Sequence, residues 1–261
     1  MEKLNSKQIK RIELDILIAL ADFCDRHGLK YYLAYGTLIG AIRHKGFIPW
    51  DDDIDVVMLR EDYMKLCTLL DKEQIRSDLE WRSVQNGKWN EPFGKLENTN
   101  TTACTRGNIE IGLWVDVFPV DYFDPHVVRT NQFWRKVHIG KAATHFKFTK
   151  KGVAKYIFKC LFFWKPYMQI AQEMNRRAQS VPKRELVASC AWGANDHGGM
   201  DIVEFEDPCY VEFEGHKFKT FKDWHLYLTR IYGDYMQLPP EKDRKTHEID
   251  AYWVGNDACP F

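Results

Sequence analysis

Between Pro49 and Val57 the chain reads Pro-Trp-Asp-Asp-Asp-Ile-Asp-Val-Val, so four carboxylates run directly into apolar, β-branched residues. Few folds accommodate that. Side chains on a strand alternate between faces. The alternation from Asp53 to Met58 therefore predicts a strand that sends Ile54 and Val56 into a core. Asp51, Asp53 and Asp55 then share the other face, and Asp52 falls on the apolar side or at a bend before the strand begins. Carboxylates crowded on one face repel and raise one another's pKa unless a cation sits among them. Hard oxygen donors suit Mg²⁺ or Mn²⁺ better than Zn²⁺. A solvated acidic loop is the plain alternative.

Two further segments bear on that choice. Tyr31–Tyr35 reads as a short aromatic strand, and Gly36-Thr37 opens a short helix through Arg43. Backbone N–H groups at a helix start can hold a phosphate, glycine permits close approach, and a Thr hydroxyl adds a donor; an ordinary helix cap is the other reading. Arg43 and His44 close the helix, as phosphate contacts or as partners of the helix dipole. Downstream, Trp114-Val115-Asp116-Val117-Phe118 places one acid in an apolar strand. Such an Asp is costly unless it is paired or metal-bound, so Asp116 is either a third ligand or a buried hydrogen-bonded acid.

The rest of the chain reads as a mixed α/β core. Residues 6–27 form an amphipathic helix on Ile9, Ile12, Ile16, Leu17, Leu20, Phe23 and Cys24, with Lys10, Arg11, Glu13 and Asp22 off the apolar face and a stop at His27-Gly28. Asp62–Leu70 reads as a helix, and strands are expected near 80–84, 92–97 and 111–118. Tyr210–Phe213 and His216–Phe221 form a hairpin around Glu214-Gly215. Trp224–Ile231 is a helix closed by Gly233, and Pro239-Pro240 begins a polar tail. Tyr232 and Tyr235 suit a core position better than base stacking.

Charge divides the chain unevenly. Lys plus Arg and Asp plus Glu are 37 each, which excludes a globally basic nucleic-acid binder. Yet the stretch from Pro125 to Arg184 holds fourteen cations and one anion, Glu173, and includes the bulky apolar run Val153–Ile170. Two readings stand for it: a peripheral membrane face with Phe162, Phe163 and Trp164 in the interface, or a buried helix with lysines at its rim. Hydrophobic residues at 45% and charged residues at 28% exclude wholesale disorder. Glu13, Asp15 and Asp22 interrupt any apolar leader, and no stretch suits a spanning helix. Seven Cys without a CxxC pair suggest reduced cytosolic thiols. Cys190 and His197 alone do not make a metal site.

Gly36-Thr37-Leu38-Ile39-Gly40-Ala41-Ile42-Arg43-His44, followed by Gly46-Phe47-Ile48-Pro49-Trp50-Asp51-Asp52-Asp53-Ile54-Asp55, closely resembles the signature of the LicD family. These are bacterial phosphocholine transferases, with fukutin and fukutin-related protein as distant animal relatives. Phe93-Gly94-Lys95-Leu96, Val115–Pro119, Tyr232–Met236 and Leu238-Pro239-Pro240 with Arg244 and His247 are also family-like. The resemblance implies one nucleotidyltransferase-like domain over 1–261, a mixed sheet flanked by helices, with the basic helical insertion at 125–185 inside it. It implies catalytic and metal-holding roles for Asp53, Asp55 and Asp116, with Asp51 in support and Mg²⁺ or Mn²⁺ as the ion. It implies that Gly36, Thr37 and Arg43 hold the diphosphate, with His44, Lys95, Lys222, Arg244 and His247 as weaker phosphate or nucleotide contacts. The site has Phe221-Lys222-Asp223-Trp224 where the family pattern has Pro-Lys-Asp-Tyr, and a strand Lys such as Lys95 is often a solvated edge.

The implied reaction moves phosphocholine from CDP-choline to a hydroxyl of a cell-surface glycan, lipopolysaccharide or teichoic acid, or its lipid-linked precursor, and releases CMP. It would take place in the cytoplasm, with peripheral contact at the inner membrane face and no nucleic-acid partner. Three alternatives stay open: another CDP-alcohol (glycerol, ribitol or ethanolamine), an NTP-consuming nucleotidyltransferase, or a non-catalytic glycan- or lipid-binding relict.

Overall fold

Asn5 starts the first helix through a reciprocal cap. Its Oδ1 accepts from the Lys7 and Gln8 N–H groups at 3.0 and 3.1 Å, and Gln8 Oε1 accepts from the Asn5 N–H at 3.0 Å. The computed structural model describes residues 1–104, 110–142, 165–194, 198–244 and 249–261. Among them are six α-helices: α1 (Ser6–Arg26), α2 (Tyr35–His44), α3 (Arg60–Leu70), α4 (Pro125–Ala142), α5 (Tyr167–Gln179) and α6 (Trp224–Tyr232). The strands are β1 (Glu2–Lys3), β2 (Tyr32–Leu33), β3 (Asp55–Leu59), β4 (Leu79–Arg82), β5 (Gly94–Asn98), β6 (Thr101–Cys104), β7 (Glu110–Ile111), β8 (Trp114–Tyr122), β9 (Leu186–Ala188), β10 (Met200–Asp201), β11 (Cys209–Phe213), β12 (His216–Thr220) and β13 (Asp250–Trp253).

The long strand β8 organises a mixed sheet. It pairs in parallel with β3, from Asp55↔Asp116 to Leu59↔Val120, and antiparallel with β5, from Gly94↔Val117 to Glu97↔Trp114. Its far end pairs with β9, and β2 and β4 extend the sheet through β3 and β5. Both faces are covered, so β3, β5 and β8 read as nearly continuous buried runs. Helix α1 packs over β5 and β8. At the end of β8 remote from Asp116, Arg60 forms two 2.7 Å hydrogen bonds with Asp121 and ties the start of α3 to the sheet.

Two sequence expectations change. The segment after Pro240 is not only a polar tail: β13 pairs with β1 and β6 and so joins the two chain ends in a second sheet, β1-β13-β6-β7. Such short strands have too few residues to show a period of two. Glu13, placed off the apolar face of α1, is fully buried. Its position lies within the apolar stripe, four residues after Ile9 and four before Leu17, so the packing that buries the stripe buries Glu13 with it. The hairpin β11–β12 forms as expected, with positive φ at Glu214 and Gly215 (51° and 78°), the backbone that its tight turn requires.

Of the basic middle, α4 and α5 are described. Buried Asn131 joins them, donating to the carbonyls of Met174 and Cys190 at 3.0 Å each and accepting from Arg177 at 2.9 Å. Phe162, Phe163, Trp164 and most of the apolar run lie outside the described residues, as do His197 and His247. Among the described residues no helix is long and apolar enough to cross a membrane, and Cys24, Cys67, Cys190, Cys209 and Cys259 form no disulfide.

Candidate active site

Three adjacent strands set three charged residues in a row across the sheet: Asp55 on β3, Asp116 on β8 and Lys95 on β5. Registered neighbours project to the same face. The Lys95 ammonium lies 2.5 Å from Asp116 Oδ1, and the Trp114 indole N–H donates to Asp116 Oδ2 at 3.1 Å. Lys95 is not a solvated edge residue but is only 5% exposed. Its ammonium faces the rings of Trp114, Trp89 and Phe93 at 4.1, 5.3 and 5.5 Å from their centroids. An aromatic cage of this kind stabilises a desolvated cation. Asp116 is thus a buried, paired acid at the head of its strand.

The acidic segment departs from the sequence expectation in one respect. The strand begins at Asp55 rather than Asp53, so Asp51, Asp52 and Asp53 lie in the irregular segment between the Pro49-Trp50 turn and the strand, from which the charges of Asp53 and Asp51 act on Asp55. The turn closes where the Asp51 N–H donates to the Ile48 carbonyl at 2.9 Å. Charge repulsion disfavours extending three successive acids along a strand whose other face is core. Neighbouring elements hold the turn. Lys10 of α1 donates to the carbonyls of Ile48 and Pro49 at 3.2 and 3.4 Å, and Glu214, at the hairpin tip, accepts from the Phe47 N–H at 3.0 Å.

Helix α2 abuts this turn. Thr37 is buried and its hydroxyl oxygen accepts from the Asp55 N–H at 2.8 Å, so it fixes the start of the acid strand. A Cβ on Gly36 would stand 2.6 Å from Asp51 Oδ2, which makes glycine the residue that lets Asp51 approach.

The electrostatics of the row are unbalanced. Burial pushes Asp55 well above the ordinary carboxylate range, and the charges of Asp53, Asp116 and Asp51 push it further, against Lys95. Glu13 is raised well above its usual value by burial and then by Asp53 and Asp52. Glu91, in the loop before β5, is pushed up to about 7 by burial, with Lys95 opposing and Asp116 adding. A set of hard carboxylate oxygens with excess negative charge fits Mg²⁺ or Mn²⁺ in its chemistry, and the Gly36 cradle for Asp51 fits the same purpose. The side chains are not already drawn to one point: among the described residues no three His, Cys, Asp or Glu stand together as a coordination group.

Basic side chains gather beside the turn. Arg43 donates to His44 Nε2 at 2.9 Å and to the Tyr235 carbonyl at 2.8 Å. Its guanidinium lies 5.9 Å from the Trp50 ring centroid, and that of Arg244 lies 4.8 Å from it. Burial and then the Arg244 charge lower the Arg43 pKa, and burial and then Arg43 lower that of His44. Two cations held against one indole next to an acidic turn make a place for a phosphate. Lys222 is not brought in: it is exposed, and its ion-pair partner is the equally exposed Asp207 at 4.0 Å. Tyr235 is buried, its hydroxyl 2.7 Å from His225 Nδ1, as a core residue rather than a stacking platform.

Sequence reasoning missed Glu13, Glu91, Trp50 and the rings around Lys95. Trp50 carried a signal through its place next to the acids, and Glu13 through its place in the row Ile9–Glu13–Leu17 of the apolar stripe. Glu91 sits in an ordinary loop.

A mixed sheet with acids on neighbouring strands and a Gly-Thr helix start belongs to the nucleotidyltransferase-like transferases. The LicD/FKTN/FKRP nucleotidyltransferase domain matches residues 28–162, and the chain belongs to this family. Over 97% of its length the chain is 28% identical to the lipopolysaccharide cholinephosphotransferase LicD of Haemophilus influenzae, all of which is covered. It is also 30% identical, over 32% of its length, to an uncharacterized protein of Rickettsia prowazekii, of which 35% is covered.

Proposed function

We propose that the chain is a Mg²⁺-dependent phosphotransferase that moves phosphocholine from CDP-choline to a hydroxyl of a cell-surface glycan or its lipid-linked precursor, releasing CMP. The single observation that carries the reading is the registered row Asp55–Asp116–Lys95 beside the Asp51–Asp53 turn. Full-length similarity to a cholinephosphotransferase supports choline as the alcohol and a lipopolysaccharide-type glycan as the acceptor.

Asp51, Asp53, Asp55 and Asp116 would hold the divalent cation. When bound, such an ion places positive charge against phosphoryl oxygens and aligns the reacting groups. Arg43 and Arg244 bind the donor phosphates from the Trp50 side, and the α2 start with Gly36 admits them closely. Lys95 and Trp114 hold the two oxygens of Asp116 in place. Glu91, with a pKa of about 7 beside Lys95 and Asp116, is matched to take the proton of the acceptor hydroxyl at neutral pH. No covalent intermediate is required if that hydroxyl attacks phosphorus directly. We read the chain as one domain with a basic insertion at 125–185, and a lipid-linked acceptor would bring it to the inner membrane face.

Thermal unfolding with CDP-choline, CDP-ethanolamine, CDP-glycerol, CDP-ribitol, CTP and CMP, each with and without Mg²⁺, tests the reading. Saturation at about a hundred times Kd adds roughly 2.7 kcal/mol, a shift of about 5–10 °C for a chain of this size. A Mg²⁺-dependent shift led by CDP-choline is expected. A larger shift with another CDP-alcohol changes the donor, and no shift with any of them removes the reading.

A further inference from the structure

Strand β2 ends at Leu33 and α2 begins at Tyr35, so the chain turns from strand to helix over one residue. That turn is made with Tyr35 at a φ of 48°, in the left-handed region that a bulky side chain rarely adopts. Such a conformation is costly and persists only where its surroundings fix it. The helix cap does not fix it: Ala34 has no side-chain acceptor for the first N–H groups. The Tyr35 side chain does. Its hydroxyl is hydrogen-bonded to the Ser189 hydroxyl at 2.8 Å, and its ring meets Phe118 of β8 edge-on at 5.8 Å and Tyr227 of α6 at 6.3 Å between centroids. Ser189 is itself a firm anchor. It is 1% exposed, follows β9 directly, and precedes Cys190, whose carbonyl accepts from Asn131 of α4 at 3.0 Å.

We infer that Tyr35 is a positioning residue of the donor-phosphate site, holding the start of α2 in place through its bond to Ser189. The inference rests on the donor reading given under the proposed function. The two residues after Tyr35 make the contacts that matter there. Gly36 lies so close to Asp51 that a Cβ would stand 2.6 Å from its Oδ2, and the Thr37 hydroxyl accepts from the Asp55 N–H at 2.8 Å. Both spacings depend on the direction in which α2 leaves β2, and in so short a turn that direction follows from the Tyr35 backbone. A side chain tied at its far end to another part of the sheet resists rotation about that backbone. Without the tie the turn relaxes toward ordinary φ, and the start of α2 loses its fixed distance from the acidic segment. Preorganisation of this kind acts on ligand affinity more than on the stability of the fold.

The test is a titration of the full chain with CDP-choline in the presence of Mg²⁺, read by thermal unfolding, for the wild type, Tyr35→Phe, Ser189→Ala and the double variant. Tyr35→Phe keeps the ring and removes the bond, and Ser189→Ala removes the same bond from the other side. Each single variant is expected to unfold within about 4 °C of the wild type without ligand. Each should need about tenfold more CDP-choline for a half-maximal shift. The double variant should need no more than the single ones, because one interaction is lost in all three. If Tyr35→Phe takes CDP-choline as the wild type does, the hydroxyl bond is a packing contact and the inference fails alone. A requirement that multiplies in the double variant, to about a hundredfold, would show that the two hydroxyls act separately and would also overturn it. If the wild type itself shows no response to CDP-choline, the donor reading fails and the inference with it.

Discussion

Lys95 and Asp116 form a buried ion pair at 2.5 Å, on adjacent antiparallel strands, with the ammonium enclosed by Trp114, Trp89 and Phe93. The pair lies next to Asp55 across the sheet. A cation fixed in that position opposes the mutual repulsion of the acids, yet Asp55 stays well above the ordinary carboxylate range.

Lys95→Met strips Asp116 of its buried partner and is expected to destabilise the fold by about 3–5 kcal/mol. The double variant Lys95→Met with Asp116→Leu removes both charges and should recover part of that loss. Urea unfolding of the three proteins measures both. A double variant less stable than either single one would mean that the pair does not account for the loss.

Gly36→Ala and Gly40→Ala should separate activity from stability. The new methyl at position 36 meets the carboxylate end of Asp51, which can swing away. Stability should stay within about 1 kcal/mol, since Ala is the better helix former, while activity falls about tenfold or more as Asp51 is displaced. At position 40 the methyl runs into the Gly46 backbone carbonyl and lies 3.3 Å from the Ile48 backbone nitrogen. Overpacking against backbone there should cost about 1–3 kcal/mol. Unfolding curves and turnover measured together check the contrast.

These outcomes bear on what the sequence made legible. The Gly36-Thr37 turn and the Asp51–Asp55 segment could be read because their chemistry is concentrated in a short stretch. Their geometry could be read only in part: alternation suggested a strand from Asp53, whereas the strand starts at Asp55, with Asp53 and Asp51 still acting on Asp55 from the segment before it. Glu13 and Lys95 were harder to read for a different reason. A charged residue in a helix or at a strand edge is usually solvated; here Glu13 is buried with the apolar face of its helix, and Lys95 by Trp89, Phe93 and Trp114. Likewise Arg43, Trp50 and Arg244 meet only because residues 235–244 fold back over α2.

Stability should fall as pH rises through neutrality. Glu91 has a folded-state pKa of about 7, above its unfolded value, so the folded state holds its proton more tightly. The contribution is fully present below the unfolded pKa, about 4.3, and is lost as pH rises through about 7. Asp55 and Glu13 are raised too and act in the same direction. Glu91→Gln should flatten this decline without abolishing it, as read by urea midpoints between about pH 5 and 8. An unchanged slope would show that Glu91 does not titrate there.

Arg244→Ala should raise the KM for the cytidine donor about tenfold, with a smaller change in kcat, because a phosphate contact of this kind binds the ground state as well. Arg43→Lys is expected not to restore the wild-type KM, since one guanidinium serves His44 and the Tyr235 carbonyl together and an ammonium cannot reproduce that fork. Steady-state kinetics on both variants decide the matter.

The most direct test of the central claim is CMP release from CDP-choline with Mg²⁺ and a glycan acceptor extract, comparing the wild type with Asp55→Asn. The account predicts CMP release by the wild type and a loss of about 100-fold or more in the variant. The variant's unfolding midpoint should be unchanged or raised, since Asp55 carries its charge at a cost. Near-normal CMP release by Asp55→Asn would contradict the assignment of the acid row as the catalytic centre.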